Sequence, residues 1–166
     1  MGRISIKTAG FIIFAFCMPI VASLLFFGCG ETECSESAKT ALYVNFYKKS
    51  NNAAYTDTLS VYGLENDSIL YKEAKVKSLE LPLRLNSDTT TYVFSFFSKV
   101  DTVTVTVNDT VAFIHRNNEH FISEACGCAM FYVIEDVYFT RGHIDSISVQ
   151  NKTITNEIQE NIRIFF

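Results

Sequence analysis

The chain has 166 residues, 48% of them apolar and 14% aromatic, with 14 basic against 18 acidic side chains and a net charge of −4. A balance of that sign argues against nucleic acid as a partner and against an electrostatic hold on anionic lipid. At this length one domain with a sizeable core is expected.

Residues 1–28 fall into the three parts of a secretory signal. Arg3 and Lys7 give a positive start, Phe11 to Phe27 is a run of 17 residues without a charge, and Gly28 is a small residue at the end. Cys29 follows at once. A small residue and then cysteine is the pattern of a bacterial lipoprotein signal, with cleavage after Gly28 and a diacylglycerol and a further acyl chain on Cys29. Phe26 stands where Leu or Val is commoner. Two other readings are open: an uncleaved membrane helix, kinked at Pro19, and a plain signal peptide that releases a soluble protein. Cys17 also lies in the run, but Phe16 before it makes a poor cut site. Cleavage at Gly28 removes Arg3 and Lys7 and no acid, so 12 basic face 18 acidic side chains and the net charge becomes −6. A lipid, not charge, would then hold the protein at the membrane.

Residues 29–38 read as a short acidic tether, with Glu31 and Glu33 after the cysteine. Five residues separate Cys29 from Cys34, at most ~17 Å of extended chain. From residue 39 onward the dominant signal has period two, so each segment offers one apolar face. Leu42, Val44 and Phe46 alternate with Tyr43, Asn45 and Tyr47. Leu79, Leu81, Leu83 and Leu85 follow, around a Pro82 that cannot donate a ladder hydrogen bond and so marks an edge strand. Tyr92, Phe94 and Phe96 come next. Val103, Val105 and Val107 alternate with threonines, and Ile162, Ile164 and Phe166 close the chain.

Turn signals stand between these runs, at Asn51-Asn52, 65–67, 86–88, Asn108-Asp109, Asn117-Asn118, Arg141-Gly142 and Thr155-Asn156. "TVTVTVNDTVAFIH" reads as a hairpin turning at Asn108-Asp109. A helical turn is conceivable only near 154–159. The expectation is an all-β domain over 39–166, an antiparallel β-sandwich of immunoglobulin-like or similar form.

Chemistry is sparsely signalled. With Cys29 acylated and Cys17 discarded, Cys34, Cys126 and Cys128 remain for an oxidising compartment, an odd number. A Cys126–Cys128 bond would be strained, although Gly127 hints at a bulge. Cys34–Cys126 would close a long loop. A Cys-Gly-Cys metal or redox site helped by His115, His120 or His143 lacks a second cysteine pair. "HRNNEH" at 115–120 reads as a solvated turn more readily than as a metal site. Glu135 and Asp136, as strand neighbours, point apart and read as surface charges. The sequons at 66–68, 108–110 and 151–153 read as turns. There is no nucleophile elbow, phosphate loop or calcium loop, so neither a metal, a cofactor nor catalytic residues are assigned. Tyr43, Tyr47, Tyr92, Phe97 and Tyr132 form either an exposed aromatic patch or core packing.

Three stretches then carry a resemblance: Tyr62, Gly63, Asp67 and Ser68; Leu81–Leu83; and Ser123, Ala125, Cys126 and Gly127. With them the chain resembles, over nearly all of its mature length, a family of small uncharacterised lipoproteins from the Bacteroidota, known only as a domain of unknown function. Members carry a cysteine shortly after the lipidated one. The resemblance therefore favours Cys34–Cys126 and leaves Cys128 as a departure and alternative partner. It implies an outer-membrane address, on the periplasmic or surface face, and no activity. The expected function is a lipid-anchored, non-enzymatic envelope module that binds or assembles with an envelope protein or glycan. The alternatives are a saccharide-binding surface module and a hydrolase built from His115 or His143 with Asp136.

Overall fold

The computed structural model describes residue 34 and residues 39–64, 68–100 and 103–166. The signal, Gly28, Cys29 and all of the tether except Cys34 lie outside the described residues. Among the described residues there is no helix. Ten strands form in chain order: β1 (Leu42–Tyr47), β2 (Asp57–Gly63), β3 (Ile69–Val76), β4 (Ser78–Leu81), β5 (Thr89–Val100), β6 (Val103–Ser123), β7 (Gly127–Phe139), β8 (Ser146–Val149), β9 (Thr153–Ile154) and β10 (Ile162–Phe165). They make a four-stranded sheet in the order β4-β1-β10-β8 and a six-stranded sheet in the order β3-β2-β5-β6-β7-β9. The fold is a β-sandwich.

Alternation does the local work. Leu42, Val44 and Phe46 of β1, Leu79 and Leu81 of β4 and Ile162 and Ile164 of β10 turn inward. They meet Leu59, Val61, Phe94, Phe96, Val111 and Phe113 of the opposing sheet in one core. Phe166 caps that core edge-on, with its ring 5.4 Å from both Phe46 and Phe96. Such aromatic pairs add to the area they bury.

The pairing departs from the expected antiparallel pattern at one place. β1 and β10 run parallel, Val44 opposite Ile162 and Phe46 opposite Ile164. β4 is an edge strand, as expected, but it ends at Leu81, before Pro82; Leu83 stays buried and Leu85 is exposed. Residues 154–159 contain the end of β9 and a bend, not a helical turn.

Two expected turns are strand instead. Asn108 and Asp109 lie inside β6, opposite Ser95 and Phe94 of β5, and the two strands stay paired as far as Val100 opposite Val103. The sequon at 108–110 is strand with them. Asn117 and Asn118 also lie in β6, opposite Tyr132 and Phe131 of β7. At Asp109 and Asn117 the polar side chain answers partners elsewhere in the fold. The true β6–β7 turn spans 124–126. Gly127 opens β7 at φ +71°, in the left-handed region that glycine adopts without strain, beside a register shift between Phe121 and Ser123.

Strand directions sort the connections into two ends. The start of β1 and the β2–β3, β4–β5, β6–β7 and β9–β10 connections share one end. The β1–β2, β5–β6 and β7–β8 connections share the other.

Candidate functional site

At the first end a disulfide joins Cys34 to Cys126, with Cα atoms 4.8 Å apart across a sequence separation of 92. Cys128 is a free, exposed thiol on β7. The Ser123 hydroxyl accepts the Cys126 N–H at 3.1 Å and so shapes the turn that presents the cystine.

His115 is not in a solvated turn. It is 1% exposed, at the centre of a chain of hydrogen bonds. Its Nδ1 lies 2.7 Å from Asn117 Oδ1 and its Nε2 lies 2.8 Å from Thr90 Oγ1. The Asn117 amide donates to the carbonyls of Arg84, Leu85 and Ser87, so its oxygen is left to accept. Nδ1 therefore carries the proton, and Nε2 accepts from the Thr90 hydroxyl. Burial lowers the His115 pKa, against the opposing pull of Asn117, which keeps the ring neutral. Hydroxyl, imidazole and amide stand in the order of a hydrolytic relay. Thr90 is itself buried and also accepts the Arg84 N–H at 2.9 Å, so the group clamps the β4–β5 loop. Asn117→Ala should strand the buried Nδ1–H and cost about 1–2 kcal/mol. Limited proteolysis should then cut within 82–88 sooner than in the wild type.

His120 sits farther along β6, its ring stacked 4.6 Å from Phe131. Of the aromatic residues left open between an exposed patch and core packing, Tyr92 and Tyr132 belong to the core, and Tyr43, Tyr47 and Phe97 are half-buried. Burial pushes the Tyr92 hydroxyl pKa far up, and that hydroxyl donates to the Pro82 carbonyl. Glu135 and Asp136 are exposed, and Glu135 pairs with Arg116. An exposed pair of this kind adds little.

His143 is the histidine with an open setting, and its carboxylate partner is Asp57, not Asp136. Its Nε2 lies 2.9 Å from Asp57 Oδ2, with the two side chains 33% and 14% exposed. A carboxylate only accepts, so Nε2 carries the proton and Nδ1 is left without a hydrogen-bond partner among the described residues. The ring lies 4.6 Å from Phe96 and 5.2 Å from Phe166, and Tyr55 packs 5.0 Å from Phe166. Burial first, then the Asp57 charge and hydrogen bond, raises the Tyr55 pKa. Lys48, Lys49, Ser50, Tyr55, His143 and Phe166 line an open recess of about 680 Å³. Lys49 reaches Asp145 at 2.6 Å, while Lys48 has no ion-pair partner among the described residues.

Asp109 holds this recess in place from beneath. It is fully buried, and its carboxylate accepts the N–H groups of Gly142, His143 and Ile144 at 2.6–2.9 Å and the Thr140 hydroxyl at 2.8 Å. The connection that carries His143 is thus wrapped around one carboxylate. Sequence reasoning named His143 but missed Asp57, Tyr55 and Asp109. Tyr55 and Asp57, two apart, gave the one local hint, since such spacing puts two polar ends on one side of an extended chain.

Among the described residues no three His, Cys, Asp or Glu side chains gather as a metal site, and no helix is long and apolar enough to cross a membrane. No curated protein and no solved structure matches the chain. A family model does match, over residues 58–166, a segment that holds all three stretches carrying the resemblance. Cys34, β1, Lys48, Lys49, Tyr55 and Asp57 precede that segment, so the match is shorter than nearly the whole mature length. The chain belongs to the family of unknown function DUF6452.

Proposed function

We propose that this protein is a lipid-anchored, non-enzymatic binding module of the bacterial cell envelope, similar to the small lipoproteins of the Bacteroidota. The anchor part rests on Gly28-Cys29 behind an apolar run with a basic start. The address that goes with it is the outer membrane. The binding part is carried by one observation: the recess around His143 lies at the end of the sandwich opposite Cys34. A tether entering at Cys34 therefore leaves that recess facing away from the lipid. Its aromatic floor suits a flat apolar or sugar face, and Lys48 with the His143 Nδ1 suits a polar or anionic group on the same partner, an envelope protein or a glycan.

Two measurements test the two parts. Mass spectrometry of the mature N-terminus should find acylated Cys29, and an intact Met1 would refute the anchor. Pull-down of the tagged, lipidated protein from envelope extract should recover a partner or glycan that is lost with Lys48→Glu and with Tyr55→Ala. Recovery unchanged by both variants removes the recess from the function.

A hydrolase reading has one observation in its favour. Asp57 orients His143, and Ser50 is among the residues that line the same recess. That reading requires turnover of a model ester or peptide that disappears with His143→Gln; a binding module keeps its partner and shows no turnover in either form.

A further inference from the structure

Large exposed apolar side chains are concentrated at the end of the sandwich that carries the cystine. Among the described residues seven are exposed: Leu64, Ile69, Leu85, Val105, Phe121, Tyr138 and Ile158. Leu64 and Ile69 flank the β2–β3 connection, Leu85 lies in the β4–β5 connection, Phe121 approaches the β6–β7 turn, and Ile158 lies in the β9–β10 connection. All four connections share the end where β1 begins. Only Val105 and Tyr138 lie elsewhere. Phe121 is 60% and Ile158 82% exposed, values at which the fold gains little from either side chain.

Placement of this kind calls for a covering surface. Two features of the chain say which. The cystine pins Cys34 to the β6–β7 turn, and Cys29 is five residues before it, within ~17 Å of chain. A lipid on Cys29 must therefore enter its bilayer close to this end and to no other. Charge narrows the bilayer further. Asp88, Glu119, Glu124 and Glu157 are exposed at the same end and outnumber the exposed Lys39 and Arg84 there, so the excess of acid opposes approach to an anionic surface.

We propose that this end of the sandwich is a second membrane contact, with Phe121, Leu85 and Ile158 dipping into the headgroup–acyl boundary of a zwitterionic leaflet. The inference rests on the anchor reading above. A lipid and an apolar rim together give two attachments, and the rim sets the orientation that a flexible acyl tether alone leaves free. It also keeps the His143 recess pointed outward.

The chain has no tryptophan, so single probes report cleanly. The full lipidated protein carrying Phe121→Trp, and separately Val105→Trp, is reconstituted into phosphatidylcholine vesicles with and without lipid brominated near the headgroup. The expected result is a blue-shifted emission at 121 that brominated lipid quenches several-fold more than emission at 105. Adding phosphatidylglycerol should weaken the quenching at 121. Equal, weak quenching at both positions in a vesicle-bound, acylated protein overturns the membrane contact and leaves the anchor standing. A blue shift at 121 that bromine does not quench means that protein covers this end, and also overturns it. An unmodified Cys29 by mass spectrometry overturns anchor and contact together.

Discussion

Asp109→Ala is expected to destabilise the domain by about 3–5 kcal/mol, the range reserved for losing a buried hydrogen-bonded charge. Three backbone N–H groups and a hydroxyl converge on this carboxylate. Alanine would leave those donors without the acceptor that they share. Each buried donor left unsatisfied costs about 1–3 kcal/mol, although the loop can relax and recover part of it. Asp109→Asn keeps one acceptor and sets an amide N–H against backbone N–H groups, so it should cost less than alanine but remain well above a surface change. Gly142 belongs to the same unit. A Cβ there would stand 2.9 Å from both Asp109 Oδ1 and Val107 Cγ1, so Gly142→Ala should cost about 1–3 kcal/mol by overpacking. Urea midpoints of the three variants check the order. A midpoint for Asp109→Ala equal to wild type would show that the carboxylate anchors nothing.

The same carboxylate sets a pH dependence. Burial acts to raise its pKa, but the N–H groups of His143, Ile144 and Gly142 and the Thr140 hydroxyl outweigh burial and hold it below the ordinary 3.8. A depressed carboxyl pKa contributes stability above the unfolded value and loses it as pH falls through the folded one. His115 acts in the same direction at higher pH. Its lowered pKa means that the folded state binds the proton less readily than the unfolded chain, so stability begins to fall as pH drops below about 6.5. Stability should therefore decline in two stages on acidification. Asp109→Asn should flatten the lower stage alone, as measured by urea midpoints across pH.

Cys34→Ser should cost about 2–5 kcal/mol, the usual range for a disulfide in a small exported domain. The bond closes a loop with a sequence separation of 92, for which chain entropy alone gives at most ~4–5 kcal/mol, and residual structure in the unfolded chain lowers the figure. Cys126→Ser should cost the same, and the double variant should add almost nothing, because both remove one bond. Thiol counting sharpens the test. Without reduction, an alkylating reagent should label only the exposed Cys128 among the three cysteines left beside the acylated Cys29. Labelling of all three would overturn the cystine. Loss of the bond should also free the β6–β7 turn from the tether, so the brominated-lipid quenching at position 121 should fall.

The hydrolase alternative is weighed by the two histidines. His115 has the company that a relay needs, but its own ring and Thr90 are buried, and the polar atoms of Thr90, His115 and Asn117 are already taken by hydrogen bonds within the group and to the β4–β5 loop. His143 has the openness but draws its carboxylate from β2, 86 residues away. Sequence reading paired it with Asp136, which is exposed on β7. Spacing could hint that Tyr55 and Asp57 share a side, but it could not pair Asp57 with His143, because that pairing is made by the packing of β2 beside the connection wrapped around Asp109.

What the sequence determined by itself is the class of the fold and the facing of its strands. Alternation with period two is a local property, so Leu42, Val44, Phe46, Leu79, Leu81, Ile162 and Ile164 could be assigned inward without knowing any neighbour. Pro82 marked an edge for the equally local reason that it has no N–H to give. What the tertiary structure alone decided is which polar residues turn the chain and which are consumed inside it. Asn108-Asp109 has the composition of a hairpin turn, yet Asp109 is a core residue because distant N–H groups satisfy it. Asn117 has the same composition and instead holds three carbonyls of another loop. Turn propensity is worth tenths of a kcal/mol to about one, whereas satisfying several buried donors is worth several, so long-range partners override it. The parallel pairing of β1 with β10 belongs with them. A strand's own pattern says which way its side chains face, and nothing about the strand that will lie beside it.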